Sequence, residues 1–322
     1  MNSTKNVDIF RIGPKVSFIV IAYNALNTIR CCIESILAQD IDKEIILVDN
    51  NSTDGTIEQV QDLDVKIVFE AKRCRGAARN RGLEVASCEF VAFVDADVEL
   101  SEGWTRRALE LLDKHPEVAA VGGPGISSEK SWISSSINVL QYGRITSGDD
   151  RYVTSLPTMD IVYRRSIIQD MRFEEFWTAE DAEFNFRIIE KGYKLLWSRD
   201  LAVRHHHPIT LSQLIKKSFK FGVWYPMPYR KHPNRITLGV LARVLHMPVL
   251  LLLLVLSAFW PLLWLAFMFW CFIPLFAYTI VGIRIRLFNN CDRLAAFVIT
   301  HSFKQYAQML GIWVGFLYGA RK

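Results

Sequence analysis

The stretch FVAFVDADVE at residues 90–99 joins an apolar run to two aspartates that are separated by one residue. Its first six residues are typical of a short β-strand that is covered on both faces. Three similar runs are VSFIVIAY (16–23), EIILVD (44–49) and VKIVFE (65–70). Helical patterns lie between and after these runs at 28–39, 56–61, 76–86 and 104–115, the first with Asn27 as its expected cap. This alternation predicts βαβ units and an α/β fold with a mainly parallel sheet.

Polar residues stand where three of the predicted strands end. Tyr23 and Asn24 follow the first run, Asp49 ends the second, and Asp95 and Asp97 close the run quoted above. Ligands of parallel sheets bind beyond the carboxyl ends of the strands. One acidic residue after a strand is commonly only a helix cap, but three polar ends on one edge predict a binding site.

Glycine-rich phosphate loops are absent from the sequence. It contains no G-x-x-x-x-G-K-[ST] motif, and no G-x-G-x-x-G follows the first strand. A nucleoside diphosphate would then be held by a metal ion and by basic side chains. Asp95 and Asp97 offer the hard oxygen ligands that Mg²⁺ or Mn²⁺ prefers. Basic residues cluster just past the third run, at Lys72, Arg73, Arg75 and Arg79.

Charge divides the 322-residue chain into two unlike parts. Residues 201–322 contain 14 Lys and Arg residues against the single acid Asp292, although the net charge of the whole chain is only +5. A hydrophobic content of 51% excludes a disordered chain. The six cysteines are not spaced as in a disulfide-stabilised scaffold, which argues against that class. The sequence contains no C-x-x-C pair, which argues against a structural zinc site. Since residues 1–13 lack the apolar run of a signal peptide, we expect the first domain in a reducing cytoplasm.

A 40-residue stretch at 244–283 contains no Asp, Glu, Lys or Arg. As a helix it would be about 60 Å long, roughly twice the ~30 Å hydrocarbon core of a bilayer. Two antiparallel spans with a turn near Trp260 and Pro261 fit this length better than one. Arg243, Arg284 and Arg286 flank the stretch, and the positive-inside rule then puts both ends in the cytoplasm. The alternatives are a shallow re-entrant hairpin and a buried helical hairpin of a soluble protein.

The segments on either side of this stretch are also expected at the membrane. Eight basic residues and no acid occur from Arg204 to Arg243, and the apolar positions there follow helical spacing. This predicts a basic amphipathic helix on anionic headgroups, with a nucleic-acid surface as the weaker rival. Residues 294–318 form a membrane-surface helix or an imperfect further span.

Five segments in a fixed order resemble a known family. They are VSFIVIAYN (16–24), EIILVDNNSTDGT (44–56), GAARNRGLEVA (76–86), FVAFVDADVE (90–99) and TAEDAEFNFRIIEKGYKL (178–195). The chain is similar to the nucleotide-sugar glycosyltransferases of family 2, which have the GT-A fold. The resemblance covers residues 16–210 and implies a catalytic domain at 1–203. Charge and hydropathy add an interfacial segment at 204–243 and a membrane region at 244–322, with a hairpin at 244–283 and a C-terminal membrane-associated helix.

The resemblance also implies roles for the residues at the strand ends. Tyr23, Asn24 and Asp49 would line the nucleoside pocket, and Arg79 would lie close to the base or the phosphates. Asp95 would approach the ribose and the diphosphate.

Asp97 would bind the divalent metal, Mn²⁺ or Mg²⁺. One of His205, His206 and His207 falls where related enzymes place a metal or phosphate contact, and we choose His207. Glu99 is a competing ligand.

At the acceptor side the resemblance implies the pair Glu180 and Asp181, with Asp181 as the general base. Displacement of the diphosphate by one attack from the opposite face inverts the anomeric carbon. Helix capping is the alternative role of Asp181.

The expected function is transfer of one sugar from a nucleoside-diphosphate sugar to a membrane-bound acceptor, a hydroxyl of a lipid-linked glycan. A polyprenyl phosphate is the alternative acceptor, and its anionic oxygen would need no base. The Q-x-x-R-W segment of the family's processive synthases is absent, which favours a single addition. Two other classes stay open: a non-catalytic, membrane-bound sugar-nucleotide-binding protein and a membrane-surface nucleic-acid binder. We expect a multi-pass membrane protein whose catalytic domain faces the cytoplasm and binds no nucleic acid.

Overall fold

The structure, a computed structural model, describes residues 15–127, 129, 131–143, 150–284 and 291–318. The N-terminal residues 1–13 and the flanking Arg286, both used in the sequence analysis, lie outside these ranges. An α/β domain is followed by a group of helices. The strands are β1 (Val16–Ala22), β2 (Lys43–Asp49), β3 (Lys66–Phe69), β4 (Phe90–Asp95), β5 (Val98–Glu99), β6 (Val118–Gly122), β7 (Gly125–Ile126), β8 (Asp150–Val153), β9 (Asp160–Arg164), β10 (Lys194–Ser198) and β11 (Val203–His205).

Eight of these strands form one sheet in the order β3-β2-β1-β4-β9-β6-β10-β8. The pairs β2–β3, β1–β2, β1–β4 and β6–β10 are parallel, which confirms the predicted fold class. Strands β8 and β9 run antiparallel to their neighbours. A second sheet of three short strands, β5-β11-β7, was not predicted from the sequence.

The helices of the α/β domain within the described ranges are α1 (Ile29–Leu37), α2 (Arg75–Val85), α3 (Trp104–Lys114), α4 (Trp132–Gly143), α5 (Arg165–Ile168) and α6 (Glu180–Glu190). Two apolar clusters cover the faces of the large sheet. One contains Phe18 and Val20 of β1 with α1 and α3, and the other contains Ile19 of β1 with α2 and α6. Apolar side chains on both faces explain why these strands read as continuous apolar runs.

Two local predictions are wrong. The helix expected at 56–61 is only the 3₁₀ turn Glu58–Val60, because a pattern this short supplies too few hydrogen bonds for an α-helix to persist. Helix α1 is capped at Thr28 rather than at Asn27, and no side-chain cap bond is present there.

Five helices follow the α/β domain: α7 (Leu211–Trp224), α8 (Pro226–Lys231), α9 (Leu238–Ser257), α10 (Leu263–Arg284) and α11 (Cys291–Tyr318). Helices α9 and α10 pack together and are joined by a turn that contains Trp260 and Pro261, as predicted. Both are long and apolar enough to cross a membrane, and their most apolar windows are only 11% buried within the described protein.

Helices α7 and α11 pack backbone to backbone along a line of glycines. A β-carbon at Gly222 of α7 would overlap the carbonyl of Gln308, and one at Gly311 or Gly315 of α11 would overlap the backbone of α7. The glycine side of the basic helix α7 therefore packs against α11, whereas its Leu211 and Leu214 pack with Ile133 and Ile137 of α4.

We expect Gly222→Ala to destabilise the protein by about 1–3 kcal/mol, because overpacking forces the two backbones apart. The measurement is the thermal unfolding midpoint of the detergent-purified protein. Gly239→Ala is the matched control, since its β-carbon would lie 3.7 Å from the nearest heavy atom, Thr237 Oγ1. Equal midpoints for the two variants would contradict the close packing of α7 on α11.

Candidate active site

The carboxyl ends of three adjacent strands meet at one edge of the large sheet. In the pairing register Ala22 of β1 lies opposite Asp49 of β2, and Ile21 lies opposite Asp95 of β4. The polar residues at the strand ends, which the sequence placed on one edge, are thus neighbours in space. Because β2, β1 and β4 run parallel, their carboxyl ends fall on the same edge of the sheet.

Hydrogen bonds tie the first two of these strand ends together. Asn24 adopts a left-handed backbone conformation, with φ of 50°, and its Oδ1 accepts a 2.9 Å bond from the amide of Thr53. The buried Asp49 accepts a 3.1 Å bond from the amide of Ser52. Asn tolerates this conformation better than most residues. The backbone geometry therefore favours Asn at position 24 whether or not its side chain contacts a ligand.

An exposed stack of rings and guanidinium stands beside this loop. The Arg73 guanidinium carbon lies 4.0 Å from the ring centroid of Tyr23 and 5.8 Å from that of Trp177. Such a surface suits the flat face of a nucleobase. The sequence analysis included Tyr23 and Arg73 but missed Trp177, which is distant in sequence and follows no periodic pattern.

Arg79 is the buried centre of the site. It is 2% exposed, and its guanidinium contacts Glu180 and lies 3.3 Å from Asp95. Burial opposes its charge, but the carboxylates of Glu180 and Asp95 outweigh burial and raise the pKa of Arg79. Helix α2 is thereby linked to helix α6 and to the end of β4. Glu180, expected at the acceptor side, is itself only 2% exposed.

The loop before α6 is fastened to α2. The side chain of Asn80 exchanges two hydrogen bonds with the backbone of Phe173, at 2.7 and 2.9 Å. The loop ends at Ala179, whose φ of 69° is rare for a residue with a β-carbon. Such strain persists only where the surrounding structure enforces it, and here it directly precedes Glu180 and Asp181.

Asp181 lies in the first turn of α6 and is partly buried. Burial and the neighbouring charge of Glu180 raise its pKa to about 6, against the opposing effect of Arg79. Its Oδ1 also accepts a 2.8 Å bond from the amide of Ala182. A carboxylate with this pKa is ionised at neutral pH and still accepts a proton readily.

Asp97 follows β4 and faces the histidine cluster. Burial opposes its ionisation, but His205, whose Nε2 lies 3.5 Å from Asp97 Oδ2, lowers the pKa of Asp97 to about 2. His207 Nε2 lies 3.1 Å from the carbonyl of Gly125. Burial, together with the neighbouring His205 and Lys217, lowers the pKa of His207 to about 3, so this imidazole is neutral.

The third histidine and Glu99 are paired with other residues. His206 Nδ1 lies 2.9 Å from Glu129, and Glu99 forms a 2.9 Å ion pair with Arg204. Beside them is a cleft of about 550 Å³ lined by Asn27, Thr28, Glu129, His206, His207, Pro208, Ile209, Gln213 and Lys217. Lys217 belongs to α7, so the basic helix contributes a side chain to the site's rim.

The donor set around Asp97 fits a divalent cation that is completed by substrate oxygens. No group of three His, Cys, Asp or Glu side chains in the described ranges forms a ready-made metal site. Mg²⁺ and Mn²⁺ commonly bind through one or two carboxylates plus substrate phosphates. Asp97, which stays ionised, and a neutral imidazole match that requirement.

Two groups near the site add to the sequence prediction. The positive charge of Arg75 acts on both Asp97 and Asp181 and favours the ionised form of each. Asp160, at the start of β9, is fully buried and accepts a 3.1 Å bond from the amide of Gly123. Burial raises the pKa of Asp160 well above its usual range. No periodic pattern or motif in the sequence points to Asp160.

A mainly parallel sheet with acidic residues along its carboxyl edge, followed by C-terminal helices, is the architecture of a GT-A fold. Residues 17–172 match the family model Glycosyl transferase family 2. The chain belongs to this family, as the sequence analysis predicted, and is a glycosyltransferase.

Relatives and a solved structure agree with this placement. EpsH of Bacillus subtilis (strain 168) is 39% identical over 232 residues, which are 65% of this chain and 66% of EpsH. The dolichyl N-acetyl-alpha-D-glucosaminyl phosphate 3-beta-D-2,3-diacetamido-2,3-dideoxy-beta-D-glucuronosyltransferase of Methanococcus voltae is 24% identical over 239 residues, 67% of this chain and 74% of that protein. The mannosyltransferase PcManGT from Pyrobaculum calidifontis, in complex with GDP-Man and Mn²⁺, has a TM-score of 0.62 at 20% identity and covers 96% of this chain and 89% of its own.

Proposed function

We propose that this glycosyltransferase moves one sugar from a nucleoside-diphosphate sugar to a hydroxyl of a lipid-linked glycan, with inversion at the anomeric carbon. The observation that carries the proposal is the buried Arg79, which contacts both Asp95 at the end of β4 and Glu180, the neighbour of Asp181, and so joins the strand end to the start of α6. Asp97 has a pKa of about 2 and Asp181 a pKa of about 6. Asp97 therefore stays ionised and can bind a cation, whereas Asp181 can accept a proton near neutral pH.

Donor binding is assigned to the first half of the site. The Tyr23 and Arg73 stack would receive the base, with Asn24 and Asp49 at the nucleoside and Asp95 at the ribose and diphosphate. Arg79 would position Asp95 and Glu180 from below, since its guanidinium is buried between them. Arg75 supplies an exposed positive charge for the phosphates.

In the chemical step the acceptor oxygen bonds to the anomeric carbon while the bond from that carbon to the diphosphate oxygen breaks. The acceptor hydroxyl gives its proton to Asp181, and the bonding pair leaves with the nucleoside diphosphate. A positioned base contributes about 10²–10⁴-fold in such reactions. Attack from the face opposite the leaving group produces inversion.

A divalent cation, Mn²⁺ or Mg²⁺, would be held by Asp97 together with His205 or His207. When bound, it would neutralise charge on the departing diphosphate. Support comes from PcManGT, a structure of the same fold whose complex contains Mn²⁺. Glu99 is less suited as a metal ligand because its carboxylate already forms an ion pair with Arg204.

The acceptor proposal rests on Asp181 and on the two apolar helices. A phosphate acceptor is already anionic and needs no base, whereas a hydroxyl does. The name of the Methanococcus voltae relative describes transfer to a dolichyl-linked sugar phosphate. We propose that α9 and α10 anchor the enzyme in the membrane, with the catalytic domain in the cytoplasm and α7 and α11 near the membrane surface.

The experiment that tests the proposal measures nucleoside diphosphate release by the detergent-purified protein across a panel of nucleotide sugars. Each donor is supplied with Mn²⁺ or Mg²⁺, with and without a lipid extract from the source membrane. We expect release with one donor, stimulated by the extract. Release that the extract leaves unchanged would contradict a lipid-linked acceptor, and silence with all donors would favour a non-catalytic binding protein.

The rate should depend on pH through Asp181. Because only the ionised carboxylate accepts a proton, we expect kcat to fall tenfold per pH unit below about pH 6 and to level off above it. Asp97, with a pKa of about 2, stays ionised throughout and adds nothing to this limb. A rate that is flat between pH 5 and 7 when chemistry limits turnover would contradict the assignment of Asp181.

Asp97→Asn should remove the metal dependence of turnover. We expect kcat with saturating Mn²⁺ to fall by about 10²–10³-fold, since one charge-stabilising group of the transition state is lost. Asp113→Asn, an exposed position on α3, is the matched control. Full Mn²⁺-dependent activity in Asp97→Asn would assign the metal to other residues.

A further inference from the structure

The segment between α7 and the first apolar helix, α9, forms ion pairs with the catalytic domain. We call residues 229–235 the joint segment. Its ion pairs with the loop before α6 and with α6 itself are Lys231–Glu174, His232–Glu183, His232–Glu190 and Arg235–Glu190. Two basic residues that the sequence analysis directed at lipid headgroups, Lys231 and Arg235, are thus engaged by acids of the α/β domain.

His232 is the centre of these contacts. Its Nδ1 lies 2.9 Å from Glu190 Oε1, and its Nε2 lies 3.3 Å from Glu183 Oε1. The residue is 9% exposed, and its ring meets that of Phe186 edge-on at 5.7 Å between centroids. One buried ring therefore bridges two carboxylates of α6.

Both ring nitrogens lie within hydrogen-bond distance of carboxylate oxygens, so each polar atom of the ring has a partner on α6. The other charges around it are Arg187, 2.8 Å from Glu183, and Arg235, 3.8 Å from Glu190. Glu183, only 1% exposed, is held from two sides.

The two ends of the joint segment lead to different parts of the protein. At one end it is fastened to α6, which opens with Glu180 and Asp181, and to the loop that precedes them. At the other end the chain enters α9 at Leu238. Tyr229 adds a link, since its ring packs on Tyr225, whose hydroxyl accepts a 3.0 Å bond from Arg243 of α9.

We propose that His232 is a positioning residue that locks α6 to the start of the membrane hairpin and so holds Asp181 at a fixed place relative to an acceptor arriving from the bilayer. The proposal rests on the proposed function for the role of Asp181. The lock itself is a property of the fold. It acts on the acceptor half-reaction and leaves the donor pocket, which lies on α2 and the strand ends, unaffected.

His232→Phe tests the lock because it keeps an aromatic ring against Phe186 and removes both polar contacts. A small misplacement of a catalytic group costs up to about 10²-fold, and we expect kcat for transfer to a membrane-borne acceptor to fall by about tenfold or more. The dissociation constant of the donor should stay within about twofold, because no donor contact changes. His232→Gln retains one donor group and should give an intermediate rate.

The matched control is His115→Gln, which removes another histidine–carboxylate pair, with 3.6 Å to Glu117, at the far end of α3. It should leave kcat and donor affinity unchanged. If His232→Phe fails to fold, Glu190→Gln replaces it, since this carboxylate is partly exposed and the buried Glu183 keeps Arg187. A parallel loss of donor affinity and kcat in these variants would show a general structural role and overturn the proposal.

Hydrogen exchange separates this inference from the proposed function. In His232→Phe we expect faster amide exchange across α6, and no change at α1 or β1, whether or not the protein turns over. An inactive wild type would sink the proposed function while this exchange pattern still supported the lock. Wild-type exchange across α6 in His232→Phe would overturn the lock even in a fully active enzyme.

Discussion

Replacing Asp181 with Asn should lower the rate of sugar transfer by about 10²–10⁴-fold, the usual contribution of a positioned base. The amide keeps the shape of the side chain and its place in the first turn of α6, but it cannot take the proton of the acceptor hydroxyl. Burial and Glu180 raise the pKa of Asp181 to about 6 in the native enzyme, so the lost group is a base suited to neutral pH. The measurement is single-turnover transfer with saturating donor and lipid extract.

One control variant and two further measurements test whether the loss of rate reflects the loss of a base. Asp113→Asn should transfer at the wild-type rate because its carboxylate is exposed on α3. Donor affinity of Asp181→Asn should equal that of the wild type within about twofold. The acid limb of the pH profile should disappear from the residual activity. Unchanged transfer by Asp181→Asn would leave the residue only its contact with the amide of Ala182.

Removing Arg79 should be the most damaging single change for stability. Arg79→Met fills a similar volume but leaves Glu180, 2% exposed, without its partner. Breaking a buried pair in this way typically costs about 3–5 kcal/mol, because a charge stays buried without compensation. Denaturant unfolding of the detergent-purified protein measures the loss.

Helix α2 supplies the matched control for Arg79. Arg81 forms a 3.1 Å pair with Glu84 on the exposed face of the same helix, where side chains are more than 40% exposed. Arg81→Met should cost less than about 1 kcal/mol, as exposed pairs do. The double variant Arg79→Met/Glu180→Met should recover part of the loss, since no carboxylate is then stranded at 180. Equal stability of the two single variants would contradict the buried pair.

The sequence predicted the strand ends well because the signal for them is local. Apolar runs identify β1, β2 and β4, and the parallel order places Asp49 and Asp95 on one edge without further information. The same reasoning located Asp97. Each of these predictions needs only the period of a strand and the topology of a βαβ unit.

What the sequence did not predict depends on contacts between distant segments. Arg79 and Glu180 are 101 residues apart, and nothing in either motif announces that one is buried against the other. Lys231 and Arg235 belong to a run of basic residues, and the side chains of such runs are usually solvated. In the structure they pair with Glu174 and Glu190.

The short strands of the second sheet also escaped prediction. With two or three residues each, β5, β7 and β11 carry too little pattern to be recognised. His205 lies in β11 and approaches Asp97. The sequence alone did not show which of the three adjacent histidines does so. A role for one member of a histidine triplet requires the strand register.

The central claim is transfer of one sugar to a hydroxyl with inversion, and the product tests it most directly. The measurement is isolation of the glycosylated lipid formed from the active donor, followed by NMR assignment of the new linkage. The account predicts one added sugar, joined through a glycan hydroxyl, with the anomeric configuration opposite to that of the donor. A sugar joined directly to a polyprenyl phosphate, or a linkage that retains the donor's configuration, would contradict it.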